Sequence, residues 1–394
     1  METIQLILKL LSVSILVILS VSTLYMFVYS VLGLFYREKN KRVSANNSVA
    51  PRIAVIIPAY KEDSVIIKTA ESALRQIYPV GKSQVIVVAD RLQTSTIYKL
   101  NNLPLKLIEV NFENSTKAKA INTALNTISE NFDLVVVLDA DNIIGSDFLS
   151  KISHAFVQGH QAIQGHRTAK NINTGYSLLD AISEEINNHI FCKGQQYLGM
   201  SSRLTGSGMA FEFNLFKSLM SEINSVGGFD KELELKLISS EVKIHYVPSA
   251  IVYDEKVNKA DALTKQRTRW ISSQLFYMKK YLPTGIVQLI KNQNVDYFNK
   301  SIQLIIPPRL ITVLMIMVGF GLSGLAASQS LINSWIVLSF VYIMVFVIAF
   351  PQKFIGRHLL KLLIVIPNIF IRFILSIPSL FSANQKFIHT PHES

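Results

Sequence analysis

The chain has 394 residues, enough for one large domain or two ordinary ones, and 49% of them are hydrophobic. Its mean hydropathy of +0.33 is high for a wholly soluble enzyme and points to membrane segments. The net charge of +12 suits an anionic lipid or a phosphorylated substrate; no basic recognition helix, zinc spacing or aromatic RNP-type motif supports nucleic acid, and the lone Cys192 excludes an intrachain disulfide and any multi-cysteine metal site.

Ile4 to Tyr36 is almost wholly apolar, with Lys9 its only charge. About 20 apolar residues of helix cross a bilayer core, so this run spans with length to spare. It is too long for a signal peptide and lacks a small-residue cleavage site. Arg37, Lys39, Lys41 and Arg42 follow, which places that end in the cytoplasm and Met1 outside.

From about Arg52 to Lys300 the composition is that of a soluble domain. Strand-length apolar runs recur: IAVIIPAY (53–60), QVIVVAD (84–90), LKLIEV (105–110) and LVVVLDAD (134–141). Helical patterns lie at Val65 to Gln76 and Lys117 to Glu130. This alternation predicts an α/β domain with a parallel sheet covered on both faces. Ligands then bind beyond the carboxyl ends of the strands, which directs attention to Glu62, Asp90, Asp139 and Asp141.

Beyond the domain, Ile302 to Ala327 and Ile332 to Phe350 are each long enough to span. The uncharged link SQSLIN reads as outside, and Lys353, Arg357 and Lys361 mark a return to the cytoplasm. His358 to Ser382 is apolar but carries Lys361, Pro367, Arg372 and Pro378, so a third span and an interfacial or re-entrant segment both remain open. The expected domains are 1–36, one transmembrane helix; 37–300, the cytoplasmic domain with interfacial helices at its end; and 301–394, the C-terminal membrane region and tail.

LVVVLDAD is the strongest local signal. Alternation sets Asp139 and Asp141 on the same side of an extended backbone. Two carboxylates at a strand end suit Mg2+ or Mn2+, which bind through one or two carboxylates plus substrate phosphates. TKAKAIN (116–122) opens a helix with Lys117 in its first turn, an arrangement suited to a diphosphate. LTGSGMAF (204–211) is a small-residue turn that lets backbone approach a ligand. GGFDKELELKL (227–237) and QRTRW (266–270) follow.

The order P-A-Y-K-E, strand-end Asp, K-A-K-A-I-N, D-A-D, T-G-S-G, G-G-F-D and Q-R-T-R-W resembles the family 2 inverting glycosyltransferases over roughly Arg52 to Tyr281. More closely, it resembles their membrane-embedded branch of cellulose, chitin, hyaluronan and poly-N-acetylglucosamine synthases. Each motif alone is weak; their order and spacing are specific. The resemblance implies a GT-A-type, Rossmann-like domain with a parallel-dominated sheet, flanked by N- and C-terminal transmembrane helices. It implies that Ala59, Tyr60 and Glu62 contact base and ribose, and that Asp90 accepts from a uracil ring. Lys117 and Asp139 would meet the nucleotide or donor sugar, and Asp141 would hold Mg2+ or Mn2+ on the diphosphate. In the Q-x-x-R-W motif, Arg267 and Arg269 would hold the diphosphate, while Gln266 and Trp270 would receive the acceptor sugar.

One motif departs from the family. The usual T-E-D is replaced by Lys231-Glu232-Leu233, so Glu232 falls at the position of the general base, one methylene longer than the family's Asp. Inverting transfer needs a base for the acceptor proton; Asp230 and Glu234 stand as substitutes. Gln164 and Arg167 also resemble a family stretch. DEKV (254–257) reads as a solvated or interfacial turn, and His154, His160, His166, His189 and His245 show no metal spacing. KFIHTPH (386–392) resembles a C-terminal motif of related bacterial transferases. Three functions follow: a polysaccharide synthase, helped by a homodimer or export partner because so few spans make no channel; a single-transfer enzyme on a lipid acceptor; or an inactive assembly subunit.

Overall fold

The computed structural model describes residues 2–38, 50–225 and 227–376. The expected basic residues Lys39, Lys41 and Arg42, the end of the last apolar segment and the KFIHTPH stretch lie outside the described residues. Eight strands form one sheet: β1 (Ile53–Tyr60), β2 (Ser83–Asp90), β3 (Lys106–Val110), β4 (Leu134–Val137), β5 (Ile143–Ile144), β6 (Ala162–Ala169), β7 (Met209–Glu212) and β8 (Ile244–Asp254). Fourteen α-helices are described: α1 (Glu2–Phe35), α2 (Ile66–Leu74), α3 (Thr94–Asn101), α4 (Lys117–Thr127), α5 (Phe148–Val157), α6 (Gly175–Asn188), α7 (Gln195–Tyr197), α8 (Phe213–Ser221), α9 (Phe229–Ser239), α10 (Ala260–Asn292), α11 (Val295–Gln303), α12 (Arg309–Leu325), α13 (Gln329–Ala349) and α14 (Arg357–Ser376).

The sheet runs in the order β3-β2-β1-β4-β7-β6-β8-β5. β3, β2, β1 and β4 pair in parallel, as their unbroken Val/Ile runs predict. Along β1, Ala54 and Ile56 face a core shared with Ala120, Ile121 and Ala124 of α4, while Ile53, Val55 and Ile57 face Ile66 and Ala70 of α2. Period-two alternation with both faces apolar is what a doubly covered sheet requires. Beyond β4 the sheet is mixed: β7 runs antiparallel to both β4 and β6, and β5 antiparallel to β8, while β6 and β8 pair in parallel, so parallel pairing predominates with four of seven pairings. A correction concerns the D-A-D motif. β4 ends at Val137, so a turn, not strand alternation, brings Asp139 and Asp141 to one side.

Among the described residues two helices, α1 and α13, are long and apolar enough to cross a membrane. The helix expected from Ile302 begins instead at Arg309, because Pro307 and Pro308 separate α11 from α12, and α12 is a shorter apolar helix of 17 residues. α1, α12 and α13 pack together. Trp335 Nε1 donates to Ser12 Oγ at 2.9 Å, and Ser12 Oγ meets Ser323 Oγ at 2.8 Å. α14 lies against the domain: Ile369 packs with Ala260 and Leu263, and Phe373 with Ile271 of α10. Ile364, Ile371 and Leu375 on α14 remain exposed. Such a two-faced helix fits the interfacial alternative.

Candidate active site

Strand register builds one end of the candidate site. Tyr60 and Asp90 end β1 and β2 in direct register. The chain then turns sharply at both ends, with φ of 56° at Lys61 and 55° at Arg91. Lys61 N–H donates to Asp90 O at 3.1 Å and locks the two turns together. Asp90 is buried, and its Oδ1 has no hydrogen-bond partner among the described residues. A buried carboxylate oxygen left unmatched is costly, so it is a waiting acceptor for a ligand N–H. Ala59 is buried beside it, while Tyr60 and Glu62 are partly exposed.

Next along the sheet, Leu138 N–H donates to Ile56 O at 3.1 Å and Thr69 Oγ1 to Ala140 O at 2.7 Å, which fix the D-A-D turn. Ser207 accepts from Asp139 N–H at 2.8 Å and donates to Asn142 Oδ1. Gln164 braces the T-G-S-G turn, donating to Ser207 O at 3.0 Å and accepting from Thr205 N–H at 2.9 Å. Lys117, in the first turn of α4, pairs with Asp139 and donates to Gly206 O at 2.6 Å. Thr116 caps that helix by accepting from Lys119 N–H.

The DEKV stretch is not the solvated turn its charges suggest. Asp254 ends β8, and one oxygen each of Asp139, Asp141 and Asp254 lie within 4.8 Å of one another. Register carries it there: β8 pairs with β6 out to Ala169↔Asp254, past an irregularity at Gly165/His166. Lys256 is 3% exposed and pairs with Asp254 at 2.7 Å and with Glu184. Arg167 joins the network through Glu184 at 2.5 Å. Burial pushes the Asp141 carboxyl well above its usual range, with further contributions from Asp254 and Asp139. Burial opposes ionisation of Asp254 too, yet Arg167 and Lys256 hold it below the usual carboxylate range. Three hard oxygen donors around one point, with charge repulsion still felt at Asp141, fit Mg2+ or Mn2+.

The Q-R-T-R-W segment lies on α10. Burial lowers the Arg269 guanidinium, and the negative charge of Asp139 opposes this, so the two groups sense each other's charge. Arg267 points elsewhere: it pairs with Asp180 of α6 and lies 5.0 Å over the Trp270 ring. Trp270 is 37% exposed, which leaves ring surface for a ligand. Gln266 Oε1 is buried and unmatched among the described residues. On α9, Glu232 turns toward α10, accepting from Lys280 at 3.0 Å and Tyr281 Oη at 3.1 Å. Glu234 pairs with Lys300 at 2.7 Å. Asp230 is the acid of this segment that lies beside the T-G-S-G turn: a Cβ on Gly206 would lie 3.7 Å from its Oδ2. Its neighbour Phe229 places a ring 5.4 Å from Lys117 Nζ.

A family model described as glycosyltransferase-like family 2 matches residues 51–273, more than half of the chain. The probable glycosyltransferase YdaM of Bacillus subtilis is 23% identical over 252 residues, 60% of this chain and 58% of that protein. The beta-monoglucosyldiacylglycerol synthase of Trichormus variabilis is 23% identical over 252 residues, 60% of this chain and 51% of that protein. An N-acetylglucosaminyltransferase of Rhizobium leguminosarum bv. viciae is 22% identical over 294 residues, 71% of this chain and 67% of that protein. The chain thus spans little more than half the length of the first two. A solved mannosyltransferase from Pyrobaculum calidifontis, in complex with GDP-Man and Mn2+, shares the fold at TM-score 0.59 and 15% identity, over 94% of this chain and 98% of its own.

Proposed function

This chain belongs to glycosyltransferase-like family 2, and from that premise we propose that it transfers a sugar, with inversion, from a nucleotide sugar to an acceptor at the cytoplasmic face of a membrane. The observation that carries the reading is the convergence of Asp139, Asp141 and Asp254 beside Lys117 and Arg269. UDP is the expected nucleotide. Asp90 accepts from its base, with Ala59, Tyr60 and Glu62 around base and ribose. Mg2+ or Mn2+ held by the three aspartates would neutralise the diphosphate as it leaves. Lys117 and Arg269 add fixed positive charge to the same oxygens.

Asp230 is the general base in this reading, in place of Glu232. It takes the proton of the acceptor hydroxyl while that oxygen bonds to the anomeric carbon from the face opposite the departing diphosphate. Glu232 instead ties α9 to α10. Trp270 offers a face for the acceptor sugar, and Gln266 a hydrogen bond.

A lipid-borne acceptor is favoured over a growing polysaccharide. The interior of the α1, α12 and α13 bundle is filled by Leu19 and Trp335, each 0% exposed, rather than open to a passing chain. Export of a polymer would need a partner or a second copy. The intact acidic site and Arg269 argue against an inactive assembly subunit. Purified full-length protein in detergent, given UDP- and GDP-sugars with lipid and oligosaccharide acceptors, tests this by mass spectrometry of products. A glycosylated lipid is expected. No nucleotide released from any donor with Mn2+ present would overturn the reading.

A further inference from the structure

Three arginines, from α10, α12 and the loop between α7 and β7, converge on one face of α6 and the π-helical turn His189–Gly194 that continues it. Arg267 of α10 pairs with Asp180. Arg309, the first residue of α12, donates to Ser183 Oγ and to Asn187 Oδ1, both at 2.6 Å. Arg203 lies 6.0 Å from the Phe191 ring centroid. Asp180, Ser183, Asn187 and Phe191 are spaced by three or four residues, so they share a face. At 1.5 Å per residue the row is about 16 Å long.

Charge along this row is unbalanced. Asp180 is the acid that meets it, and among the described residues neither Arg203 nor Arg309 forms a salt bridge. Glu184 of the same helix is already taken by Arg167 and Lys256. Arg267 and Arg203 both repel Arg309. Lys231 adds another cation close by; burial, and then Arg203, pulls its ammonium below the ordinary range, against the opposing charges of Asp230 and Glu234, the latter already paired with Lys300. All four side chains keep partial access to solvent. Enclosed cations without counter-charges are expensive, and an arriving anion relieves that cost.

The two ends of the row differ in character. Arg267 stands over Trp270, the acceptor platform of the proposed function. Arg309 stands 5.4 Å from the Phe346 ring of α13, at the mouth of the apolar bundle. Charge in the middle, apolar surface at one end and a sugar platform at the other match one kind of molecule, an amphiphile.

We propose that Arg309 and Arg203 bind the phosphate of a lipid whose tail lies along α12 and α13 and whose far end reaches Trp270. The proposal rests on the glycosyltransferase reading and supplies its acceptor class, a phosphate-bearing lipid. Planar guanidinium groups suit phosphate through paired N–H donors.

The test uses the full chain in neutral maltoside micelles, titrated calorimetrically with dodecyl phosphate, and separately with UDP plus Mn2+. Saturable binding of dodecyl phosphate is expected, weakened at least about tenfold by Arg309→Gln with Arg203→Gln, while UDP binding stays unchanged. Arg203→Gln alone, at a half-buried position, should give a smaller loss, and it serves if the double variant does not fold. Equal binding of inorganic phosphate would overturn the lipid assignment. UDP binding without saturable dodecyl phosphate binding, or dodecyl phosphate binding that both variants leave unchanged, would overturn this inference alone. Loss of both ligands in the wild-type chain would overturn the glycosyltransferase reading beneath it.

Discussion

Asp141 and Asp254 share one hydrogen-bond donor, the Nδ2 of Asn142, at 3.1 and 3.0 Å. A carboxylate on the D-A-D turn and one on the last strand are thus oriented by a single amide, which Ser207 orients in turn. Asp254→Asn should therefore weaken Mn2+ binding in the presence of UDP as severely as Asp141→Asn does. Asn142→Ala should cost roughly 10–100-fold, the usual scale for a group that orients metal ligands. Electron paramagnetic resonance of free Mn2+ reads both. Wild-type affinity in Asp254→Asn would remove it from the site.

The two acids of α9 should separate by readout. Asp230→Asn should lower kcat by roughly 10²–10⁴ with little change in UDP affinity or melting temperature. Glu232→Gln should instead lower stability by about 1–3 kcal/mol, because Lys280 loses its counter-charge, and leave most of the turnover. The reverse pattern in paired activity and unfolding measurements would return the base to Glu232.

Trp270→Ala should cripple transfer to the acceptor and spare UDP binding and slow donor hydrolysis, since water needs no platform. Arg269→Ala should weaken donor use for every acceptor, water included. Loss of UDP binding in Trp270→Ala would contradict the acceptor role.

His245 stacks on His160, with centroids 3.7 Å apart and planes 3° apart. Burial, and then charge on His160, pulls His245 down to about 4. An unfolded histidine titrates near ~6.5, so between those values the unfolded chain binds more protons. Stability should then fall as pH falls through that window and be fully present above it. Melting temperatures scanned across that range should slope less in His245→Asn than in wild type. Equal slopes would show that the pair does not govern acid sensitivity.

Gly319 has no room to grow: a Cβ there would meet Trp335 Cζ2 at 2.1 Å. Gly319→Ala should destabilise the terminal bundle by roughly 1–3 kcal/mol, and a second change, Trp335→Phe, should restore part of it. Thermal unfolding in detergent, with activity as a monitor of the distant site, would show whether the loss stays in the bundle.

The first half of the sheet was legible because strands buried on both faces leave long Val/Ile runs, and strand-end polar residues stand out against them. Asp90 and the D-A-D pair stand out in this way; Asp254 does not, because D-E-K-V looks like a solvated turn. Only the pairing of β8 with β6 shows that Lys256 and Arg167 bury those charges by compensating them. Motif matching named both arginines of α10, but the rotation of a helix decides what each one meets. Arg269 senses the charge of Asp139, and Arg267 pairs with Asp180 of α6. Hydropathy also ran α11 into α12, since Ile302 to Ile306 is apolar up to the two prolines that divide them.

Ser12 and Ser323 touch across 311 positions of sequence. During synthesis α1 emerges first and must wait for nearly the whole chain before α12 and α13 arrive. Its other seat, where Gly194 closes on the backbone of Tyr29 and Gly33 on His189, forms only once the middle of the chain is made. Closing so long a loop is not the obstacle, since each doubling of length adds only about 0.6 kcal/mol. The order of events is what matters: the catalytic domain can fold on its own schedule, while α1 gains one seat from the middle of the chain and the other only when α12 and α13 dock. Once they have docked, contact rather than chain continuity holds the two ends together, so a chain cleaved between Tyr36 and Pro51 would still migrate as one particle.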